Sequence, residues 1–253
     1  EGLKHINGCA FEYCSSLTEI NIPSTVVYID GDAFGACWGV TSFNVAEGNA
    51  TFSSIDGVLF NVDKYELRLY PIGKTDESYT VPAGVKDIMG DAFYGAGNLK
   101  QLIMPEGVSR VYAQAIREMG NLETIDFPST LTELNTGTFY GCKKLKTIII
   151  RATEVPYYGG TDLSSSSFDN TVLYVPEASL EAYKADSDFG ALAANGRNNI
   201  KSIGVLTGID NIASEDAIEV ARYDITGRQL KSAAKGINIG KYSDGSIKKV
   251  LVK

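Results

Sequence analysis

Apolar residues recur along the chain at one long interval, with polar residues filling the positions between them. Phe11 and Phe34 are 23 residues apart, and Phe93, Ile116 and Phe139 follow one another at the same step. Leu17 and Val40, then Leu99, Leu122 and Leu145, keep that step of 23, as do Pro82, Pro105 and Pro128. Self-similarity at such a period marks a solenoid, in which each unit buries its apolar side against the next. One interval departs. Phe34 to Phe93 is 59 residues, so 36 residues beyond one period lie between Val45 and Val81.

A coil of 23 residues is too short for a long helix and two strands, so each repeat is expected to hold one helical turn and short extended pieces. In 17–22, Leu17, Ile20 and Ile22 follow an L-x-x-L-x-L spacing, with Glu19 and Asn21 between the isoleucines facing outward. The proline that follows lacks an N–H and fixes its own φ, which ends strand pairing and turns the chain. A second short segment comes next, at 26–29, 85–88, 108–111 and 131–134. The fold class expected is mainly β with short helical turns: a right-handed solenoid of parallel strands over residues 1–172. An insert at about 53–82 should carry a hairpin, with turn signals at Asp56-Gly57 and 61–64 among alternating apolar residues. Residues 173–206 read as a cap, in which Pro176 and Glu177 open a short helix bearing Leu180, Tyr183, Phe189 and Leu192. The Gly- and Ser-rich stretch 157–167 reads as a loop of the last irregular coil. Residues 207–253, broken by Thr226-Gly227, Lys235-Gly236 and Asp244-Gly245, read as a small β module.

The pattern A-F-x-x-C-x-x-L at Ala10, Phe11, Cys14 and Leu17, followed by I-x-I-P at Ile20, Ile22 and Pro23, resembles the BspA-type leucine-rich repeat family of bacterial surface proteins. Ile116 stands in place of the aromatic residue, Ala96 and Met119 in place of the cysteine, and Arg151 in place of the last proline. The resemblance implies a secreted or cell-surface protein that adheres to host extracellular proteins or to other cells, binding a protein or glycan without chemistry. The tail is similar to the C-terminal sorting modules of type IX secretion in Bacteroidetes, through Tyr223, Asp224, Gly227, Arg228, Lys235, Gly236, Lys248, Lys249 and Val250. That likeness implies an export route. Residues 1–6 align with 106–111, so the chain is expected to begin within a repeat, and its lack of a targeting signal is no argument for a cytosolic location.

Composition narrows the partners. With 31 Asp and Glu against 23 Lys and Arg the net charge is −8, which disfavours nucleic acid and anionic membranes, both of which call for a basic stripe. No apolar run is long enough to span a bilayer. Cys14, Cys37 and Cys142 share one repeat position, three residues after an aromatic, so they read as packing residues, with a Cys14–Cys37 disulfide left open. Cys9 and Cys14 lack the histidine or paired acids that a zinc site would add, so no metal or cofactor is expected. His5 is the only histidine, which leaves little for a catalytic triad, and the serine run 164–167 has no nucleophile-elbow glycines. Asp30, Asp32 and Asp91 sit beside turns, where capping and weak calcium binding are both open. Asn49-Ala50-Thr51 is a formal glycosylation sequon.

The candidate contact surface is the outward side of the strands: Glu19, Asn21, Ser42, Asn44, Gln101, Ile103, Thr124, Asp126, Thr147 and Ile149. Six or seven strands at about 4.8 Å spacing would make a ladder about 30 Å wide, which serves either as a protein interface or as a solvated face. Tyr65 and Tyr70 on the insert are the second candidate, as exposed aromatic contacts on a rigid scaffold. Two other roles stay open. One is a structural spacer for an upstream module. The other is a carbohydrate-active enzyme, which would need two acids about 5 to 10 Å apart in a cleft that no motif implies.

Overall fold

The computed structural model describes residues 2–160, 162–194, 196–204, 219–224, 229–230, 232, 236–242 and 247–252. It forms two compact units, Glu1–Ile203 and Gly204–Lys253. The first is a parallel-strand β-solenoid of about 8 turns. One sheet holds, in order, Ser78–Thr80, Gln101–Ile103, Thr124–Phe127, Thr147–Ile150, Val172–Val175 and Ile200–Ser202, all parallel. Glu19–Ile22 and Ser42–Val45 form a separate parallel pair. The second segment of each coil builds another sheet, from Asp87–Ile88 through Arg110–Val111 and Glu133–Leu134 to Tyr157–Tyr158.

The 23-residue step is a backbone register. Gln101 lies opposite Thr124 and Thr124 opposite Thr147, so every outward or inward position is repeated from coil to coil. Inside, Phe93, Leu99, Leu102, Val108 and Val111 lie above Ile116, Leu122, Ile125, Leu131 and Leu134, and none is more than 2% exposed. Burial of each such side chain stabilises by about 1.5–3 kcal/mol. The helical turns place a left-handed residue at one shared repeat position, Tyr13, Ala36, Gly95, Glu118 and Gly141, with φ between 55° and 77°, and four of them place a second at Cys9, Asp91, Gln114 and Gly137. Outside glycine this conformation costs about 1 kcal/mol or more. It aims N–H groups along the array. Tyr13 N donates to Gly35 O at 2.9 Å, Gly95 N to Arg117 O at 3.2 Å and Glu118 N to Tyr140 O at 2.7 Å, each into the next coil.

The extra residues form a three-stranded antiparallel meander, Phe52–Ile55, Val58–Asn61 and Glu66–Leu69, whose last strand joins the second sheet beside Asp87–Ile88. The first turn is Asp56-Gly57, with φ 50° and 79°, as its sequence signal indicates. The meander is a partition between two apolar clusters. Phe52, Leu59 and Leu69 pack with Ile22, Phe34 and Phe43, while Val58, Phe60 and Leu67 pack with Val85, Ile88 and Phe93. Burial on both faces explains the unbroken apolar run 58–60. The insert is shorter than the expected 53–82, because Ser78–Thr80 is a strand of the main array in register with Gln101–Ile103.

At the far end, the helix Leu180–Ala185 buries Tyr183, whose hydroxyl donates to Ala152 O at 3.0 Å. The helix stops after six residues. Asp186 Oδ1 there accepts the backbone N–H groups of Asp188 and Phe189, both at 2.9 Å, and leads into the 3₁₀ turn Phe189–Leu192. The second unit is an antiparallel sheet in the order Gln229–Leu230, Glu219–Asp224, Gly236–Tyr242, Ile247–Val252. Of the tail motif, Gly227, Arg228 and Lys235 lie outside the described residues. Among the described residues, no helix is long and apolar enough to cross a membrane.

The join between insert and array admits no side chain at Gly73. Its N–H donates to Val40 O at 2.7 Å, and an added Cβ would lie 2.6 Å from Trp38 O and 2.7 Å from Val40 O. Because both obstacles are backbone, Gly73→Ala is expected to destabilise the protein by about 1–3 kcal/mol, read from the urea midpoint at constant m-value.

Candidate functional site

The outward strand positions alternate with the core as the sequence indicates: Ile125 and Ile148 are buried, whereas Thr124, Asp126, Thr147 and Ile149 are partly exposed. The ladder is divided into two groups. Glu19, Asn21, Ser42 and Asn44 lie on the two-stranded sheet; Gln101, Ile103, Thr124, Asp126, Thr147 and Ile149 lie on the six-stranded one. The continuous face is therefore six strands, about 24 Å from the first to the last at about 4.8 Å per spacing. On it, Gln101, Thr124 and Thr147 share one row, and Ile103, Asp126 and Ile149 share another.

Polar groups of the ladder are held by the neighbouring coil. Asn44 Nδ2 donates to Asn21 Oδ1 and to Glu19 Oε2, both at 3.3 Å, and Ser42 Oγ donates to Asn44 Oδ1 at 2.8 Å. Ser78 Oγ donates to Gln101 Oε1 at 3.1 Å. Arg151, which stands where a proline would end the strand, grips Asp126 with Nε at 2.9 Å and Nη2 at 2.6 Å. The residue that breaks the proline pattern thus supplies a bidentate clamp. Lys100 with Glu77 at 2.6 Å and Lys146 with Glu123 at 2.9 Å repeat the same coil-to-coil pairing. Lys146 holds the Glu123 carboxyl below the usual carboxylate range, chiefly by its hydrogen bond.

The two insert tyrosines differ. Tyr65 is exposed at the edge of the meander, but Tyr70 is only 3% exposed, so it presents no contact surface. Its ring stacks on Phe93 at 5.4 Å, as Phe11 stacks on Phe34 at 5.3 Å, and its N–H donates to Ala92 O at 2.7 Å. Tyr70 is the repeat's aromatic, 23 residues before Phe93. That interval was the available signal, hidden because the insert displaces it from Phe34.

Other sequence candidates resolve into structure. Asn49 is 8% exposed, and its Nδ2 donates to Pro23 O at 2.9 Å and Val26 O at 3.1 Å, so the sequon amide is a clamp between coils. Asp30, Asp32 and Asp91 bind outside their own turns: Asp30 accepts from Tyr28 Oη at 2.9 Å, Asp32 from Cys9 N at 3.3 Å, and Asp91 from Arg117 Nε at 2.7 Å. Burial raises the Asp91 carboxyl, against the pull of Arg117. Among the described residues, no group of three His, Cys, Asp or Glu side chains could hold a metal ion. All four cysteines are free. Cys37 Sγ donates to Phe11 O at 2.9 Å and Cys142 Sγ to Ile116 O at 3.2 Å, one hydrogen bond repeated in two coils. Two surfaces escaped the sequence reading. Glu66, Asp87, Arg110 and Glu133 make a charged row on the second sheet, where Arg110 holds Asp87 through two bonds of 2.8 and 2.9 Å. Tyr94, Arg117 and Tyr140 recur at one turn position, with the Arg117 guanidinium 3.7 Å from the Tyr94 ring centre.

Two outcomes follow from this geometry. Tyr70→Ala should lower stability by about 3–5 kcal/mol, whereas Tyr65→Ala should stay within about 0.5 kcal/mol, both read by chemical denaturation. At mildly alkaline pH a thiol reagent should label exposed Cys9 and Cys14 and spare Cys37 and Cys142 until the chain is unfolded, as counted by mass spectrometry. Burial pushes the Cys142 thiol up to about 12, so it carries almost no thiolate under those conditions.

A family model for the BspA type leucine rich repeat region matches six copies, across residues 1–65 and 74–182. No protein of curated function matches the chain. Among solved structures, the pneumococcal vaccine antigen PcpA superposes with a TM-score of 0.54 at 24% identity, over 80% of this chain and 60% of that one. A leucine-rich repeat protein from Eubacterium ventriosum gives 0.55 at 27% identity, over 65% of this chain and 44% of that one. A leucine rich cell surface protein from Faecalibacterium prausnitzii gives 0.58 at 26% identity, over 86% of this chain and 62% of that one. The chain thus spans 44% to 62% of the length of these three structures. With the repeat matched over more than half of its residues and the coil geometry shared, the chain belongs to the BspA type leucine rich repeat family.

Proposed function

We propose that the chain is a non-catalytic binding module displayed at a bacterial cell surface, and that the outer face of its six-stranded sheet engages an extracellular protein. The observation that carries this reading is the preorganised row Ile103, Asp126 and Ile149, in which two partly exposed apolar side chains flank a carboxylate locked by Arg151. Side chains already held in one rotamer lose little entropy on binding. The family and the cell-surface neighbour from Faecalibacterium prausnitzii support the location. Strands of three or four residues make a face of about 300 Å², below the roughly 800 Å² per partner of a stable complex. A single face therefore binds weakly, and useful strength comes from many copies engaging together.

The test is surface-based kinetics against fibronectin, fibrinogen and mucin, with the triple variant Ile103→Arg, Thr124→Arg, Ile149→Arg and the control Tyr65→Ala. Saturable binding should drop at least tenfold in the triple variant and persist in the control. Binding unchanged in both would remove the sheet face from consideration, and no binding at all would leave the array as a spacer.

A further inference from the structure

The last coils depart from the 23-residue step. Glu133 lies opposite Tyr157 and Thr147 opposite Val172, offsets of 24 and 25. One extra residue lies between Thr147 and Tyr157 and the other between Tyr157 and Val172, where the chain forms two 3₁₀ turns, Asp162–Ser164 and Ser166–Phe168. These turns stand off from the helical turn of the preceding coil and leave a groove of about 530 Å³, lined among others by Glu118, Tyr140, Gly141, Lys143, Ser165 and Ser167. That volume falls within the roughly 300–1,000 Å³ typical of small-molecule sites.

The groove is built from specific departures in the repeat. Gly141 takes the left-handed position with φ 77°, and a Cβ there would lie 2.6 Å from Glu118 Cδ, so the Glu118 chain lies flat across the bare backbone. Tyr140, next to it, is 61% exposed. Asp162 is a pillar and is not available to a ligand: it accepts Phe139 N at 3.0 Å and Tyr158 Oη at 2.5 Å. The polar groups facing the aromatic ring are the Glu118 carboxylate, the Lys143 ammonium and the hydroxyls of Ser165 and Ser167; Ser165 Oγ donates to Ser167 Oγ at 3.4 Å and accepts Ser167 N at 3.3 Å, so the serines enter as an exposed, linked pair.

We propose that this groove binds a pyranose unit of a neutral glycan. The Tyr140 ring covers the apolar C–H face of the sugar, while Glu118 accepts from its hydroxyls and Lys143, Ser165 and Ser167 complete the hydrogen bonding. The charge balance selects this chemistry. One lysine against Glu118 and Asp162 repels a phosphate, sulfate or carboxylate ligand. A wholly apolar ligand would strip water from Glu118 and Lys143 without replacing its hydrogen bonds. A polyol with one apolar face meets both demands. None of these residues belongs to the strand face, so the proposal stands apart from the protein-binding reading.

The experiment titrates the whole chain with maltotetraose, cellotetraose, chitotetraose and mannotetraose at millimolar concentration, following backbone amide shifts. A sulfated heparin tetrasaccharide is the anionic arm. At least one neutral sugar should give saturable shifts centred on Gly137, Gly141 and Ser165. Tyr140→Ala should weaken that binding at least tenfold and Glu118→Gln at least threefold, at unchanged melting temperature. Tyr157→Ala, a comparably exposed tyrosine at 64%, should leave it unaltered. The proposal falls if no neutral sugar moves these amides, if Tyr140→Ala and Tyr157→Ala lose equally, or if the heparin fragment binds more tightly than every neutral sugar.

Discussion

The array depends on one constraint: each coil must return its N–H groups to the carbonyls of the next coil, residue for residue. The parallel register fixes the step at 23 between Gln101, Thr124 and Thr147, and it then dictates what each position can be. Core positions repeat in size because a coil touches only its neighbours. The turn accepts left-handed residues such as Tyr13 and Glu118 because the alternative is an N–H with no partner between coils. Side chains obey the same rule. Asn49, Cys37, Cys142 and Arg151 each reach across to an adjacent coil, so the polar residues hold the stack together as well as decorating it.

The insert shows how far the rule bends. A meander can interrupt the array because its last strand, Glu66–Leu69, supplies the edge that Asp87–Ile88 needs, and Tyr70 restores the aromatic stack on Phe93. Its strands bury both faces and so replace the contact that the two interrupted coils would have made directly. The lengthened coils near Asp162 bend the rule differently. The extra residues leave the sheets and accumulate on one edge, where they enclose space.

Much of this was legible in the sequence, for physical reasons. A solenoid repeats its environment, so Phe93, Leu99 and Leu102 announce Ile116, Leu122 and Ile125 and identify core and outer face together. Asp56-Gly57 was readable because left-handed turns restrict residue choice. Tyr70 was not, since an aromatic among alternating residues does not reveal whether it ends a strand facing out or begins a coil facing in. Nor was the groove. It comes from offsets of 24 and 25, and those appear only when strands are paired. The cross-coil clamps were hidden for a similar reason: Arg151 looks like a lost proline until Asp126 is placed beneath it.

The partition also has a mechanical meaning. On the edge occupied by Glu19–Ile22 and Ser42–Val45 the strand ladder does not run on into the six-stranded sheet, so there the first two coils are coupled to the rest by the insert. Tension along the array would meet a discontinuity at that point: shared backbone ladders on either side, but at the joint mainly apolar contact and a few bonds such as Arg68 to Ile29. The two sides of the joint are therefore held by the packing of the insert and by single bonds such as Gly73 N to Val40 O at 2.7 Å, where elsewhere a continuous backbone ladder does that work.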